Sequence, residues 1–161
     1  MNVQVSAPLK RLNHLQCETN VVYSEMSSVF GQSDSVMQIL YTICDSGGEC
    51  CLLRDICHLT GLPKQTINSA LRKLEEEQVV YLEHVGRKNK RVCLTEKGKE
   101  LAAQTAGKVI EAENRILAEW GPEIAEQFLA LNERYLECLQ KELKRLKDEH
   151  EKQVKQISYG F

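Results

Sequence analysis

The stretch from Leu62 to Gly98, LPKQTINSALRKLEEEQVVYLEHVGRKNKRVCLTEKG, contains two successive patterns that predict the fold of this chain. Its first part places apolar residues at i, i+3, i+4 and i+7, the spacing of one buried face of a helix. These apolar residues are Ile67, Ala70, Leu71 and Leu74. Its second part, VVYLEHV followed by RVCLT, is rich in β-formers and predicts a hairpin closed by GRKNK. The stretch therefore predicts a helix followed directly by a β-hairpin.

The residues before this stretch predict a shorter helix that completes a helix-turn-helix. RDICHLTG has the pattern of a short helix that stops at Gly61, and CCLL before it is short enough for a single strand. Two short helices joined by a turn that contains glycine are typical of a helix-turn-helix. With the hairpin as a wing, residues 33–107 are predicted to form a winged helix-turn-helix domain.

Two helices are predicted before this domain's strand. Ser6 can cap a first helix that begins near Ala7, and Ser33 or Ser35 can cap a second one. The first helix carries one apolar stripe of about five turns, formed mainly by Leu12, Leu15, Thr19, Val22, Met26 and Val29. So long a stripe needs more apolar surface than a small core offers, which favours a partner chain.

Two long helices are predicted after the hairpin. Thr95 is expected to cap a helix that runs to about Trp120, where Gly121 and Pro122 break it. The final helix is expected to reach about Gln156. Its apolar stripe consists of Ile124, Phe128, Leu131, Tyr135, Leu139, Leu143 and Leu146. The fold class is thus mainly α with a small β-hairpin, a winged helix-turn-helix core framed by N- and C-terminal dimerisation helices.

Positive charge is concentrated in one part of the sequence. The chain has a formal net charge of −2, yet nine basic and five acidic residues lie between Lys64 and Lys99. A local cationic patch on an acidic chain predicts a polyanionic partner for that patch.

The predicted helix and wing carry side chains suited to double-stranded DNA. Amides, hydroxyls and a guanidinium on the outer face of the helix can read base edges in the major groove, and Lys64 suits a phosphate. Arg87 is the candidate for insertion into the minor groove, with the other wing cations on flanking phosphates. The predicted DNA-binding residues are Lys64, Gln65, Thr66, Asn68, Ser69, Arg72, Arg87, Lys88, Lys90 and Arg91.

Composition excludes several other classes. A chain of 161 residues with 42% hydrophobic and 27% charged residues is typical of one soluble globular domain with helical extensions. It has no apolar run of membrane length and no apolar core of a signal peptide near its N-terminus, so we expect a cytoplasmic protein without a membrane partner. We find no glycine-rich phosphate loop and no nucleophile elbow, and the four histidines have unrelated contexts. Neither catalytic residues nor a cofactor are expected, so the chain is not predicted to be an enzyme.

The seven cysteines are expected to be reduced thiols, because the chain lacks a secretion signal. Cys44, Cys57 and Cys93 fall on predicted buried faces, where a free cysteine acts as a small apolar residue. A zinc cluster is not favoured, since Cys50 and Cys51 are adjacent on a strand and point to opposite faces. No metal site is therefore expected.

Two segments, LRDICHLTGLPKQTINSALRKLEEEQVVYLE and RVCLTEKGKELA, resemble the MarR family of bacterial transcription regulators, and the likeness covers nearly the whole chain. The resemblance implies that LPKQTINSALRKLE is the recognition helix, that the hairpin is the wing, and that residues 1–32 and 108–161 dimerise. It further implies a homodimer on a pseudo-palindromic operator, usually a repressor and often released by a small-molecule effector. One departure concerns the Asp–x–Arg motif of many family wings, since Gly86 and Lys88 stand at those positions here.

The resemblance also implies two regulatory sites. Cys17 lies where oxidation-sensing members keep a reactive cysteine, with His14 one turn before it, and is a candidate redox residue. The alternative is that Cys17 packs in the dimer interface. An effector pocket is expected between the DNA-binding lobe and the dimer domain, where Trp120, Tyr41 and Tyr23 are candidates that fit a plain core equally well. An alternative to DNA binding also stays open. In it the chain is a winged-helix module that binds proteins through its outer helices and does not bind DNA.

Overall fold

The computed structural model describes residues 4–86 and 89–158, with side chains for residues 4–86 and 89–155. The chain is mainly α-helical, as predicted, and the predicted hairpin is part of a small three-stranded antiparallel sheet. Its elements are α1 (Ala7–Val29), α2 (Asp34–Asp45), β1 (Cys50–Leu52), α3 (Leu53–Thr60), α4 (Lys64–Glu76), β2 (Val80–Val85), β3 (Asn89–Leu94), α5 (Glu96–Gln104) and α6 (Ala106–Ser158). It divides into two compact units, Met1–Ala112 and Glu113–Phe161.

The predicted starts of the first two helices are confirmed. The Ser6 hydroxyl accepts a hydrogen bond from the Leu9 amide at 3.3 Å, and the Ser33 hydroxyl accepts one from the Val36 amide at 3.4 Å. Each serine satisfies an amide that has no partner within its helix. The short helix α3 ends at Gly61, whose left-handed φ of 62° favours glycine.

The core of the first unit lies between α2, α3, α4 and the sheet. Helix α4 buries the four apolar residues that the sequence placed on one face, and α2 contributes an equally buried stripe. The largest fully buried side chains are Ile39, Leu40, Ile43, Ile56, Ile67, Leu74, Val36, Val79, Val92 and Cys93. The winged helix-turn-helix core is thereby confirmed.

The sheet has the order β1–β3–β2, so the second wing strand lies in its centre. Strand β3 begins at Asn89, two residues before the start of the predicted RVCLT strand. One face of the sheet packs on the core through Cys51, Val80, Val92 and Leu94. The wing therefore extends directly from the packed core.

The LTEKG segment joins the wing to the following helix. The Thr95 hydroxyl donates to the Gln78 carbonyl at 2.7 Å and accepts from the Gly98 amide at 3.0 Å. A Cβ atom on Gly98 would collide with the Val79 carbonyl oxygen. Helix α5 can thus approach the start of β2 only because residue 98 is glycine.

The prediction of one uninterrupted helix from Thr95 to Trp120 is wrong. The helix is interrupted at Thr105, which has φ −121° and ψ −91° and separates α5 from α6. Thr105, Ala106 and Val109 are buried in the core, and the Thr105 hydroxyl donates to the Leu101 carbonyl at 2.7 Å. Tertiary packing fixes this bend at a residue that is neither glycine nor proline.

The second unit consists of the remaining part of α6, whose predicted break is confirmed. Gly121 has non-helical torsion angles, φ 78° and ψ 164°, directly before Pro122. Trp120 and Phe128 meet edge to face across the break, with ring centroids 5.4 Å apart. The apolar stripe of this helix is exposed in the single chain. Among the described residues, no helix is both apolar enough and long enough to cross a bilayer.

The expectation that all seven cysteines are reduced is wrong. Cys50 and Cys93 form a disulfide between β1 and β3, which makes Cys93 a bonded residue and not a free buried thiol. Cys44 and Cys57 are half-buried where burial was expected. The sequence does not reveal this pairing because the two cysteines are 43 residues apart and meet only through the strand register.

Candidate nucleic-acid interface

The outer face of α4 presents the polar residues that the sequence placed there. Gln65, Asn68, Ser69 and Arg72 are exposed, and so is Lys64 at the start of the helix. Thr66 is half-buried. Because the opposite face is fixed in the core, these side chains are held on a rigid element and point away from the domain.

A cleft of about 450 Å³ lies between the start of α4, the start of α3 and the wing. It unites three of the predicted DNA-binding residues, Lys64 and Asn68 from the recognition helix and Lys90 from β3. Its lining residues are Leu52, Leu53, Arg54, Cys57, Lys64, Asn68, Asn89 and Lys90. The structure therefore brings α4 and the wing strand β3 to one concave surface.

Arg54 is a cleft residue that the sequence analysis missed. It lies in the first turn of α3, and its Nε atom donates to the Asp55 carboxylate at 3.2 Å. The sequence does contain a signal, since the first helix of a helix-turn-helix crosses the DNA backbone and Arg54 is the one basic residue in its first turn. A third cation thus lines the cleft beside Lys64 and Lys90.

Carboxylates compensate some of the cations between Lys64 and Lys99. Arg91 donates to Glu83 at 2.7 Å, and this carboxylate raises the pKa of Arg91. Lys99 lies 2.7 Å from both Glu49 and Glu96, whose hydrogen bonds, Glu49 first, raise the pKa of Lys99 to about 12. These charges are balanced within the protein.

Three cations on the predicted DNA-binding surface are not balanced in this way. Lys64, Arg72 and Lys90 form no ion pair with any residue in the ranges 4–86 and 89–158. Two of them line the cleft, and Arg72 lies two turns along the exposed face of α4. The uncompensated positive charge therefore lies where a polyanion is expected to bind.

The wing has a brace that replaces the missing Asp–x–Arg motif. Glu83 and Arg91 are directly opposite each other in the β2–β3 register, and their ion pair joins the two wing strands. Arg91 stays a predicted phosphate contact, although its charge is shared with Glu83. Arg87 and Lys88, the other predicted wing contacts, lie outside the described residues.

The two helices of the helix-turn-helix differ from their neighbours at their N-termini. Helices α1, α2 and α5 are capped by the hydroxyls of Ser6, Ser33 and Thr95. Helices α3 and α4 begin after Leu52 and Pro63 and have no side-chain cap. Amides in the first turn of α4, beside the cleft, are thus available to an external acceptor such as phosphate.

Cys17, the candidate redox residue, is exposed on α1. His14, the nearby residue noted in the sequence, lies 3.1 Å from the Glu18 carboxylate.

The comparisons with known proteins agree with this geometry. A family model described as the MarR family matches residues 30–90, which include α2, the helix-turn-helix and most of the wing. A search of curated protein sequences finds no match. The chain is similar in structure to NMB1585, a MarR family regulator from Neisseria meningitidis, with 19% identity and a TM-score of 0.75. That match covers 87% of this chain and 99% of the other.

Two further solved structures share the fold. One is the DNA complex of MepR from Staphylococcus aureus, with 18% identity, a TM-score of 0.65, and coverage of 83% of this chain and 96% of that chain. The other is BpsR from Bordetella bronchiseptica, whose DNA binding is regulated by 6-hydroxynicotinic acid, with 18% identity, a TM-score of 0.54, and coverage of 74% and 95%. The resemblance to the MarR family of winged helix-turn-helix transcriptional regulators is therefore confirmed, by the family match at residues 30–90 and by a fold shared over most of the chain.

Proposed function

We propose that the chain is a cytoplasmic, homodimeric transcriptional regulator that binds a pseudo-palindromic operator and represses transcription. Its role is binding and not catalysis. The observation that carries this proposal is the cleft in which Lys64 and Asn68 of the recognition helix meet Lys90 of the wing and Arg54 of α3. MepR, which has the same fold, was solved on DNA, and this supports the assignment of DNA as the partner.

In the proposed complex, α4 enters the major groove and the wing follows the neighbouring backbone. Gln65 and Asn68 are suited to adenine and Arg72 to guanine, because their side chains can form paired hydrogen bonds to those base edges. Thr66 and Ser69 can bond either base. Lys64, Arg54 and Lys90 line the cleft, where they would contact phosphates and set the register of the helix.

Dimerisation is proposed through residues 1–32 and 108–161. Helix α1 exposes Leu9, Leu15, Val22 and Tyr23 in the single chain, and α6 exposes a longer stripe. Large exposed apolar surfaces of this kind mark protein interfaces. Because a two-fold dimer presents two recognition helices, it would bind two half-sites about one DNA turn apart.

We also propose release by a small organic effector. The support comes from BpsR, which shares the fold and is regulated by 6-hydroxynicotinic acid. A titration of the protein–DNA complex with aromatic carboxylic acids, read by fluorescence anisotropy, tests this proposal. Retention of the complex at saturating concentrations of the whole series would contradict it.

Selection of bound duplexes from a random pool is the decisive experiment for the function. We expect a consensus with two-fold symmetry, because each protomer reads one half-site. Bound duplexes without a consensus would indicate non-specific binding. Failure to enrich any duplex at low salt would instead favour a protein-interaction module, since a DNA-binding surface retains salt-dependent, non-specific affinity.

Substitutions separate phosphate contacts from base contacts. Replacing Lys64 and Lys90 by alanine should weaken binding to all sequences alike and flatten the salt dependence, with a slope change of about 0.9 for each phosphate that the variant no longer neutralises. Arg72→Ala should instead cost roughly 1–3 kcal/mol, mainly on the selected site. Lys144→Ala, which removes an exposed cation on α6 outside the proposed DNA-binding surface, is the matched control. An unchanged salt slope in the Lys64/Lys90 variant would rule out these phosphate contacts.

The exposure of Cys17 favours a second candidate function, regulation by oxidants through this thiol. In that case peroxide should release the wild-type protein from DNA and leave the Cys17→Ser variant bound. Equal release of both proteins would rule out Cys17 as the sensor.

A further inference from the structure

The disulfide between Cys50 and Cys93 has a defined place in the sheet. The two residues are directly opposite each other in the antiparallel pair β1–β3. The adjacent pair is hydrogen-bonded, because the Leu94 amide donates to the Glu49 carbonyl at 2.8 Å. Cys50 and Cys93 thus occupy the next, non-hydrogen-bonded position, where opposite side chains approach most closely. The strand register brings the two sulfur atoms together.

This bond joins the two parts of the proposed DNA-binding surface. Strand β3 carries Lys90 and Arg91 of the wing three and two residues before Cys93. Strand β1 passes at Leu52 directly into α3, whose first turn lines the cleft. Since β1 is only three residues long, the covalent bond adds a link to a short β1–β3 pairing.

The two sulfur atoms differ in their surroundings. Cys93 is 0% exposed, whereas Cys50 is half-buried, so an external thiol can reach the bond from the Cys50 side. The Cys93 sulfur lies 3.9 Å from the Glu83 Oε2 atom, the same oxygen that accepts from Arg91 at 2.7 Å. A disulfide sulfur has no hydrogen to donate, but a reduced Cys93 would have a thiol hydrogen to donate near this oxygen. Reduction would therefore change the environment of the Glu83–Arg91 brace.

We propose that Cys50 and Cys93 form a thiol–disulfide exchange site for small thiols, and that the oxidised form binds DNA more tightly. The thiolate of a first small thiol, such as glutathione, attacks the Cys50 sulfur, and Cys93 leaves as a thiolate that takes a proton from solvent. A second small thiolate attacks the mixed disulfide and releases Cys50 as a thiolate, which is then protonated. Two electrons pass from two small thiols to the protein, and one small-molecule disulfide is formed.

The effect on DNA binding rests on the proposed function and follows from pre-organisation. With the bond intact, the wing strand and the strand before α3 are held in the geometry of the cleft before DNA arrives. Without it, binding must order the short β1–β3 pairing, which costs conformational entropy. We expect reduction to weaken operator affinity about tenfold.

The experiment uses the full chain with Cys17 and Cys138 replaced by serine, because these two cysteines are exposed and could react with the reagents themselves. The protein is equilibrated with oxidised or reduced glutathione, and free thiols are counted by alkylation and mass spectrometry. Loss of two thiols on oxidation, mapped to Cys50 and Cys93, is the expected result. Operator affinity is then measured by anisotropy in both states.

Two further variants in the same background make the result specific. Cys93→Ala, or Cys50→Ala if the first variant does not fold by circular dichroism, should show the weaker affinity in both buffers. Cys44→Ala, which removes a half-buried free thiol, should keep the tenfold response. Equal affinity of the two thiol states, or no bond between Cys50 and Cys93 under the oxidant, would overturn the inference. Absence of DNA binding in both states, with the bond formed, would instead count against the proposed function.

Discussion

Helices α4 and α6 carry apolar stripes of similar helical spacing, but the stripe of α4 is buried and that of α6 is exposed. In α4 the stripe is covered by α2 and the sheet, and Leu74 is 0% exposed. In α6 the stripe is exposed, and Leu143 is 52% exposed. Periodicity therefore identifies an apolar face but does not reveal what covers it. We infer that the α4 stripe stabilises the core of the domain and that the α6 stripe packs against another protomer.

The largest expected effect on stability tests the buried stripe. Leu74→Ala removes a fully buried side chain and leaves a cavity between α4 and the rest of the core, which should lower the free energy of unfolding by about 2–5 kcal/mol. Urea denaturation followed by circular dichroism measures this loss. The loss should be the same at low and high protein concentration, because the packing lies within one chain. A loss that disappears at high concentration would show that this core depends on a partner.

The exposed stripe should behave in the opposite way. Replacing Leu139 and Leu143 by glutamate places charges on the proposed dimer seam, and we expect the dimer to dissociate with a Kd at least about 100-fold weaker. Sedimentation should then give the monomer mass of 18.4 kDa in place of twice that value.

A matched control for this variant lies one residue further along the same helix. Gln140→Glu together with Lys144→Glu has the same spacing but lies beside the stripe, and both residues are exposed. We expect this control to remain dimeric. Dissociation of the control, or a wild-type chain that sediments as a monomer, would remove the basis of the comparison between the two stripes.

Much of the fold could be predicted because its signals are local. The caps Ser6 and Thr95 and the helix ends Gly61 and Gly121 follow from residue types that act within one turn. For the second helix the sequence leaves Ser33 and Ser35 as alternatives, and the cap is Ser33. The interruption at Thr105 was missed, because the buried position of that residue against the core determines it. Local chemistry predicts where helices begin, whereas long-range packing decides which of them stay continuous.

In the candidate site, too, local features could be predicted from the sequence and long-range pairings could not. The exposed face of α4 follows from helical periodicity, so Gln65, Asn68 and Arg72 could be placed from the sequence. The Glu83–Arg91 brace and the Cys50–Cys93 bond could not, because each depends on which residues lie opposite one another in the sheet.

An intermediate effect on stability is expected from a substitution at Gly98, where the wing connects to α5. In an ordinary helix, alanine in place of glycine adds stability, but a Cβ on Gly98 would collide with the Val79 carbonyl oxygen. Gly98→Ala should therefore lower the free energy of unfolding by about 1–3 kcal/mol. Thermal unfolding, compared with that of Gly48→Ala, measures the difference. At Gly48 a Cβ would meet only ordinary neighbours at 3.9 Å, so a loss of equal size there would exclude the collision as the cause.

The smallest expected effect on stability concerns the turn after α4. A residue there has positive φ but is not glycine, whereas the corresponding residue in α6 is glycine. Both Gln78, after α4, and Gly121, inside α6, have positive φ, 57° and 78°, but only the second is glycine. Gln78→Gly relieves the left-handed strain of a residue with a Cβ and loses chain entropy, so a net gain below about 1 kcal/mol is expected. The neighbouring Glu77→Gly is the control, because Glu77 has φ −79° and should only lose stability. If both glycines destabilise the protein equally in urea, the Gln78 side chain must form interactions that outweigh the strain of its backbone.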